Sequence, residues 1–141
     1  MAAPSAMAKD PWRFVIIRQR SSLSRLAEIL PGGKMLSAAP LGIAVCGDKE
    51  AALSGHWSYL LQDCAAAIQN LLLGAHALGL GACWVGVHPS EEAMRSVKEL
   101  LFLPSSVIAV AVIAIGHPAE QLEPRTRFNP DYIHFERWQG D

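Results

Sequence analysis

Short β-branched runs alternating with helical segments predict an α/β or α+β domain around a mixed sheet. Three observations carry that prediction. Residues 12–18, 41–46, 82–87 and 107–115 are apolar runs rich in Val, Ile and Trp. The segments between them carry helical patterns, the longest over 57–80. Gly and Pro punctuate the junctions. At 141 residues the chain is long enough for one domain, taken here as 1–141.

In chain order, Pro11 sets the start of the first strand, WRFVIIR. Residues 22–30 read as a short helix capped by Ser22 and stopped by Pro31-Gly32-Gly33. A brief helical turn over 34–38 leads to the second strand, closed by Gly47-Asp48. The helix over 57–80 has one charge, Asp63, and is apolar on most sides, which suits a core or interface helix. Its Ala65-Ala66-Ala67 and Gly74-Ala75 steps permit close approach by another helix. Gly79 and Gly81 end it with a C-cap and a tight turn into the third strand, ACWVGV. Ser90 caps a helix over 91–101, with Glu91 and Glu92 in its first turn and Lys98 in its last. VIAVAVIAI is apolar on both faces and reads as a central strand covered on both sides. After Gly116-His117-Pro118 the chain turns polar and proline-rich. Its tail, DYIHFERW, holds aromatics that are expected to pack on a neighbouring subunit.

Half of the residues are hydrophobic and 18% are charged, which is oily for this length and points to apolar surface buried by a partner. The net charge of −1 gives no basic excess for nucleic acid. Three widely spaced cysteines, Cys46, Cys64 and Cys83, form no CxxC pair and are expected to be buried, reduced thiols. No charged-then-apolar leader is visible, and the most apolar stretch contains Gln69, Asn70 and His76. The expectation is a cytoplasmic protein with no membrane span.

Several familiar patterns fail. Gly79-Leu80-Gly81 follows a helix and opens a strand, the reverse of a dinucleotide-binding fingerprint. Gly32-Gly33-Lys34-Met35 does not complete a P-loop, and there is no GxSxG. The histidines lack HxxxH or HExxH spacing, so no metal is expected.

Three segments in order resemble the FMN-dependent nitroreductase-like family across nearly the whole chain. The stretch from Ala3-Pro4-Ser5 to Pro11-Trp12-Arg13-Phe14 resembles the family's A-P-S-x-x-N-x-Q-P-W-x-F, which runs along the flavin. Gly79-Leu80-Gly81-Ala82-Cys83-Trp84-Val85-Gly86 resembles its G-L-G-x-x-W-x-G turn at the reactive edge of the isoalloxazine. Gly116-His117-Pro118, then Pro124-Arg125-Thr126-Arg127, resembles its last strand with G-x-P and the basic pair on the FMN phosphate. Where the family has Asn and Gln in the first stretch, this chain has Ala8 or Lys9 and Asp10.

The resemblance implies an α+β, three-layer α/β/α fold: a central mixed, mostly antiparallel sheet flanked by helices. It implies FMN as cofactor and NAD(P)H as co-substrate, in ping-pong hydride transfer to a small electron-poor acceptor such as a nitroaromatic or quinone. It also implies a homodimer, with the extension over 119–141 on the partner subunit. The implied FMN-binding residues are Pro4, Ser5, Ala6, Met7, Lys34, Trp84, Val85, Gly86, Arg125 and Arg127. No side-chain acid or base is implied, because the flavin carries the chemistry.

Physical reasons stand beside each assignment. A cation at Lys34 would stabilise negative charge at flavin N1 and O2, and a solvated loop lysine is the equal alternative. Gly86 permits close backbone approach, whereas Trp84 read alone is a core tryptophan. In extended chain Arg125 and Arg127 point the same way and can converge on one phosphate. Ser5 can bond a flavin carbonyl or ribityl hydroxyl, or be an ordinary turn serine. Asp10 near flavin would disfavour the anionic reduced form unless it is paired. The family's upstream R-R-S-x-R motif is not found before Ala2-Ala3-Pro4, so Arg125 and Arg127 are expected to carry most of the phosphate. A non-catalytic remnant of the fold, flavin-binding or structural, is the competing expectation.

Overall fold

The computed structural model describes residues 1–120, 123 and 125–140. Pro124 of the third resembling segment therefore lies outside the described residues, as does part of the extension over 119–141.

Four strands form one sheet in the order β1-β2-β4-β3: β1 Trp12–Ile17, β2 Leu41–Asp48, β3 Gly81–Gly86 and β4 Val107–Gly116. All three pairings are antiparallel. The helices are α1 Arg20–Ile29, α2 Trp57–Ala77 and α3 Glu91–Leu100. Leu23 and Leu26 of α1, with Ala93 and Val97 of α3, bury one sheet face together with Ala44, Cys46 and Val112. Leu60, Cys64, Ala67 and Ile68 of α2 bury the other, against Val45, Ala111 and Ile113. The layers are thus α/β/α, as the resemblance implies.

Composition explains the order of the strands. β4 carries no charge and is buried along nearly its whole length, so it must be central. β2, beside it, interleaves glycine with its apolar residues. Gly42 makes room for Leu23 on one face, and Gly47 makes room for Leu60 on the other. A Cβ at Gly47 would sit inside the Leu60 side chain.

A bulge interrupts the β2–β4 register: Val45 pairs Ala111 while Cys46 pairs Ala109, leaving Val110 over. Its carbonyl accepts from the N–H groups of both Val87 and His88 at 3.1 Å, which ties down the end of β3.

Helix boundaries depart from expectation most at the start of α1 and the end of α2. α1 begins at Arg20 with Gln19 in the capping position and no side-chain cap, so Ser22 lies inside the first turn and is not the cap. α2 ends at Ala77, three residues early. Gly79 takes φ +73, Leu80 N–H donates to Ala75 O and Gly79 N–H to His76 O, both at 2.9 Å. That is a Schellman closure, which glycine favours sterically. Ser90 caps α3 as expected, accepting from Ala93 N–H. In the tail Phe128, Tyr132, Phe135 and Trp138 are exposed on the single chain.

The fit of Leu60 over Gly47 yields a double-mutant prediction. Gly47→Ala is expected to destabilise by about 1–3 kcal/mol through overpacking, and Leu60→Ala by about 2–5 kcal/mol through a cavity. The combination should cost less than the sum by at least ~0.5 kcal/mol, since each change relieves the other. Denaturant unfolding of the four proteins checks this, and strict additivity would contradict the contact.

Candidate functional site

The first candidate segment runs beside α2 along the β1 edge. After Pro4 and Ser5, residues Ala6–Ala8 form a 3-10 turn. Met7, Ala8 and Asp10 all take left-handed backbone, at φ 50, 53 and 47. Side chains with a Cβ resist that region, so three such residues in four positions mark stored strain. Local bonds close the segment. Ser5 Oγ donates to Asp10 Oδ1 at 2.5 Å and accepts from Asp10 N–H at 2.9 Å. Ala8 N–H donates to Ser5 O at 3.1 Å. Arg13 reaches back to Asp10 O at 3.1 Å and pairs Asp48 at 3.1 Å. Asp10 is therefore paired within the loop, and the Ser5 hydroxyl hydrogen is committed to it. Ser5 retains only acceptor capacity for a ligand. Met7 is 79% exposed.

Among the described residues, one hydrogen bond joins this segment to α2. Ala6 N–H donates to Asp63 Oδ1 of α2 at 2.9 Å. The sequence marks Asp63 only as the lone charge of an apolar helix. No spacing rule connects it to Ala6, 57 positions away.

The second segment lies on the opposite edge. β3 pairs on one side only, so alternate backbone groups along it face away from the sheet. Val85 points into the core with α3, while Trp84 points to the α2 side and is 41% exposed. Trp84 is thus not the core tryptophan its strand position predicts. An edge strand with a helix covering only part of that face leaves the indole open. Gly86 is open too: a Cβ there would meet nothing closer than His88 O at 3.9 Å.

The remaining candidates are reached from the end where β2 begins and β4 finishes. Lys34 opens the 3-10 turn Lys34–Ser37 with its side chain exposed. Arg20, unmarked in the sequence, holds that turn through Ser37 O and Ala39 O at 2.6 and 3.0 Å. Gly116 is wedged against Pro40, and Gly81 lies against Pro118, so the second and third resembling segments meet there. Arg125 and Arg127 are exposed and form no ion pair among the described residues.

One chain does not gather these residues into one cavity. Pro4, Ser5, Ala6 and Met7 flank β1, and Trp84, Val85 and Gly86 lie on β3, with β2 and β4 between. At ~4.8 Å per strand the two edges stand about 14 Å apart. An apolar groove of about 740 Å³ beside β1 is lined by Met1–Ala3, Phe14, Ile16 and Leu71 among others, and touches none of the candidates.

The architecture, helices on both faces of an antiparallel sheet with an open β3 edge, is the nitroreductase fold. A crystal structure from Bacteroides thetaiotaomicron named "Putative NADH dehydrogenase/NAD(P)H nitroreductase" matches with TM-score 0.92 and 37% identity, over 98% of this chain and 79% of that one. An FMN-dependent nitroreductase from Clostridium difficile matches with TM-score 0.88 and 27% identity, over 97% and 82%. A relative from Methanothermobacter thermautotrophicus, named as the first is, shares 43% identity over 139 residues, which is 98% of this chain and 71% of the relative. The chain belongs to the Nitroreductase family, which matches its residues 1–117. No helix among the described residues is long and apolar enough to cross a membrane.

The thiols divide by burial. Cys46 and Cys64 are buried, but Cys83 is exposed on β3, correcting the expectation of three buried thiols. Burial pushes the Cys46 thiol up to about 12. Burial, then the neighbouring Cys46 and Asp63, does the same for Cys64. Both thiols hold their protons more tightly in the fold than when unfolded. Stability is therefore complete below the ordinary thiol pKa of 9.0 and falls as pH rises from there toward 12. At pH 8 Cys83 alone should react with a disulfide reagent at the rate of a free thiol, and all three should react in denaturant. Fast reaction of more than one thiol in the native protein would contradict the buried placement.

Proposed function

We propose that this protein is an FMN-dependent oxidoreductase that uses NAD(P)H to reduce small electron-poor acceptors, such as nitroaromatics or quinones, by ping-pong hydride transfer in a homodimer. The observation that carries this reading is the division of the candidate residues between opposite sheet edges, in a chain of the Nitroreductase family. Each edge offers half of a cradle. A second copy related by a two-fold axis would set one chain's β1-side segment against the other's β3 edge, giving two equivalent sites.

The residues present suit a flavin. The open backbone at Gly86 and the exposed Trp84 suit a flat ring approaching the β3 edge. When bound, FMN supplies the two-electron chemistry, and no side-chain acid or base is needed. The chain's own residues bind and orient. Pro4, Ala6 and Met7 line the ring through backbone, and Ser5 accepts from a ribityl hydroxyl or ring N–H. Val85 anchors the β3 edge from the core side, and Lys34 supplies positive charge. Arg125 and Arg127, one residue apart in irregular chain, clamp the phosphate. The aromatic tail packs on the partner.

Titration of the purified protein with FMN, followed by anaerobic addition of NADH or NADPH, tests this. The expected protein is yellow, dimeric by light scattering, and bleached by the nicotinamide. Protein that takes up no FMN sinks the proposal. Replacing both Arg125 and Arg127 by Ala should weaken FMN by about 10²–10⁴-fold, the loss of two charge-assisted contacts at ~1.5–3 kcal/mol each. Unchanged affinity would move the phosphate elsewhere.

A further inference from the structure

We infer that Asp63 is a positioning residue. Its carboxylate, buried in the second turn of α2, holds the strained Ser5–Asp10 segment in the shape that faces the flavin. The inference rests on the reading of that segment as flavin-lining.

Asp63 is 5% exposed and is surrounded on α2 by Leu60, Cys64, Ala67 and Ile68, all of them core residues. A carboxylate in that setting costs stability, and an alanine would serve the helix better. Nothing within α2 or the sheet repays it. Its one bond is from Ala6 N–H at 2.9 Å, and its second oxygen, also buried, has no partner among the described residues. Its position is therefore explained by the segment above it.

That segment needs an external hold. Met7, Ala8 and Asp10 are left-handed without being glycine. The bonds that close the loop, between Ser5 and Asp10, are exposed and compete with water. Strained backbone persists only where its surroundings over-determine it. Ala6 directly precedes the left-handed pair. Fixing its N–H to a side-chain oxygen held inside the core sets where Met7 and Ala8 begin. The core helix thereby dictates the conformation of an exposed loop.

Three variants of the full chain test this: Asp63→Ala, Asp63→Asn and Asp63→Leu. Asn keeps an oxygen acceptor for Ala6 N–H, while Ala and Leu do not. Hydrogen exchange is measured on the Ala6–Asp10 amides and on α2, alongside FMN titration, visible circular dichroism of the FMN-saturated protein and the unfolding midpoint. For Ala and Leu, exchange of the Ala6–Asp10 amides should accelerate at least ~10-fold and FMN affinity fall at least ~10-fold. The flavin dichroism should change, with α2 still protected and the midpoint not lowered by more than about 4 °C. Asn should restore exchange, affinity and dichroism to within ~3-fold of the parent.

Unchanged loop exchange in Asp63→Ala overturns the inference. So does a loosened loop with unaltered FMN affinity and dichroism, or an Asn variant that behaves like Ala. If the parent takes up no FMN, the flavin reading fails by itself. The exchange comparison then still upholds or overturns Asp63 as the anchor.

Discussion

The close seating of α2 on β2 and β4 sets the geometry of everything at the sheet's edges. Leu60 enters the space that Gly47 leaves, and Cys64, Ala67 and Ile68 continue the contact along the helix. The order of the strands follows from it, because only a strand apolar on both faces can lie beneath a helix on each side. β1 and β3 are left as edges with open backbone. The same seating carries Asp63 down to the level of Ala6. A helix held farther off by a side chain at Gly47 would lift that carboxylate away from the segment it binds.

Two local devices then finish the edges. On one side, three left-handed residues and the Ser5–Asp10 ring shape the chain before β1. On the other, the extra residue Val110 turns its carbonyl to Val87 and His88 and holds the end of β3. Both are irregular structures pinned from the interior, so their shape is set by the rigid core. That is the arrangement expected where a flat ligand must meet backbone at fixed distance. It also fits an oxidoreductase whose protein part is asked to orient a cofactor and to supply no proton of its own.

Much of the fold was legible in the sequence because periodicity reports burial directly. The run VIAVAVIAI could only be a central strand, and Gly79 after an apolar helix could only be its cap. Ser22 misled because capping preference cannot distinguish a cap from a serine within the first turn, and the helix began earlier, at Arg20. Beyond the central place of β4, strand order was not legible, since it depends on pairings between distant segments. Among the candidate segments, the turn glycine Gly79 could be placed by its position after the apolar helix. The exposure of Trp84 and Cys83 could not, because whether a strand lies at an edge is a property of the sheet. Asp63 stood out as a lone charge, but its partner is a backbone amide, which no residue pattern encodes.

Two costs in this structure meet at one contact, while the left-handed residues Ser54, Phe102 and Glu136 lie elsewhere. The left-handed backbone of Met7, Ala8 and Asp10 and the buried carboxylate of Asp63 with one oxygen unsatisfied oppose folding. Neither adds apolar contact to the core, in which Leu23, Leu60 and Ile113 are completely buried. The two are joined by a single hydrogen bond, from Ala6 N–H to Asp63. Strained backbone fixed by a buried polar group is the pattern of a segment whose shape is selected, and on the proposed reading it favours a retained ligand-binding segment over a structural remnant.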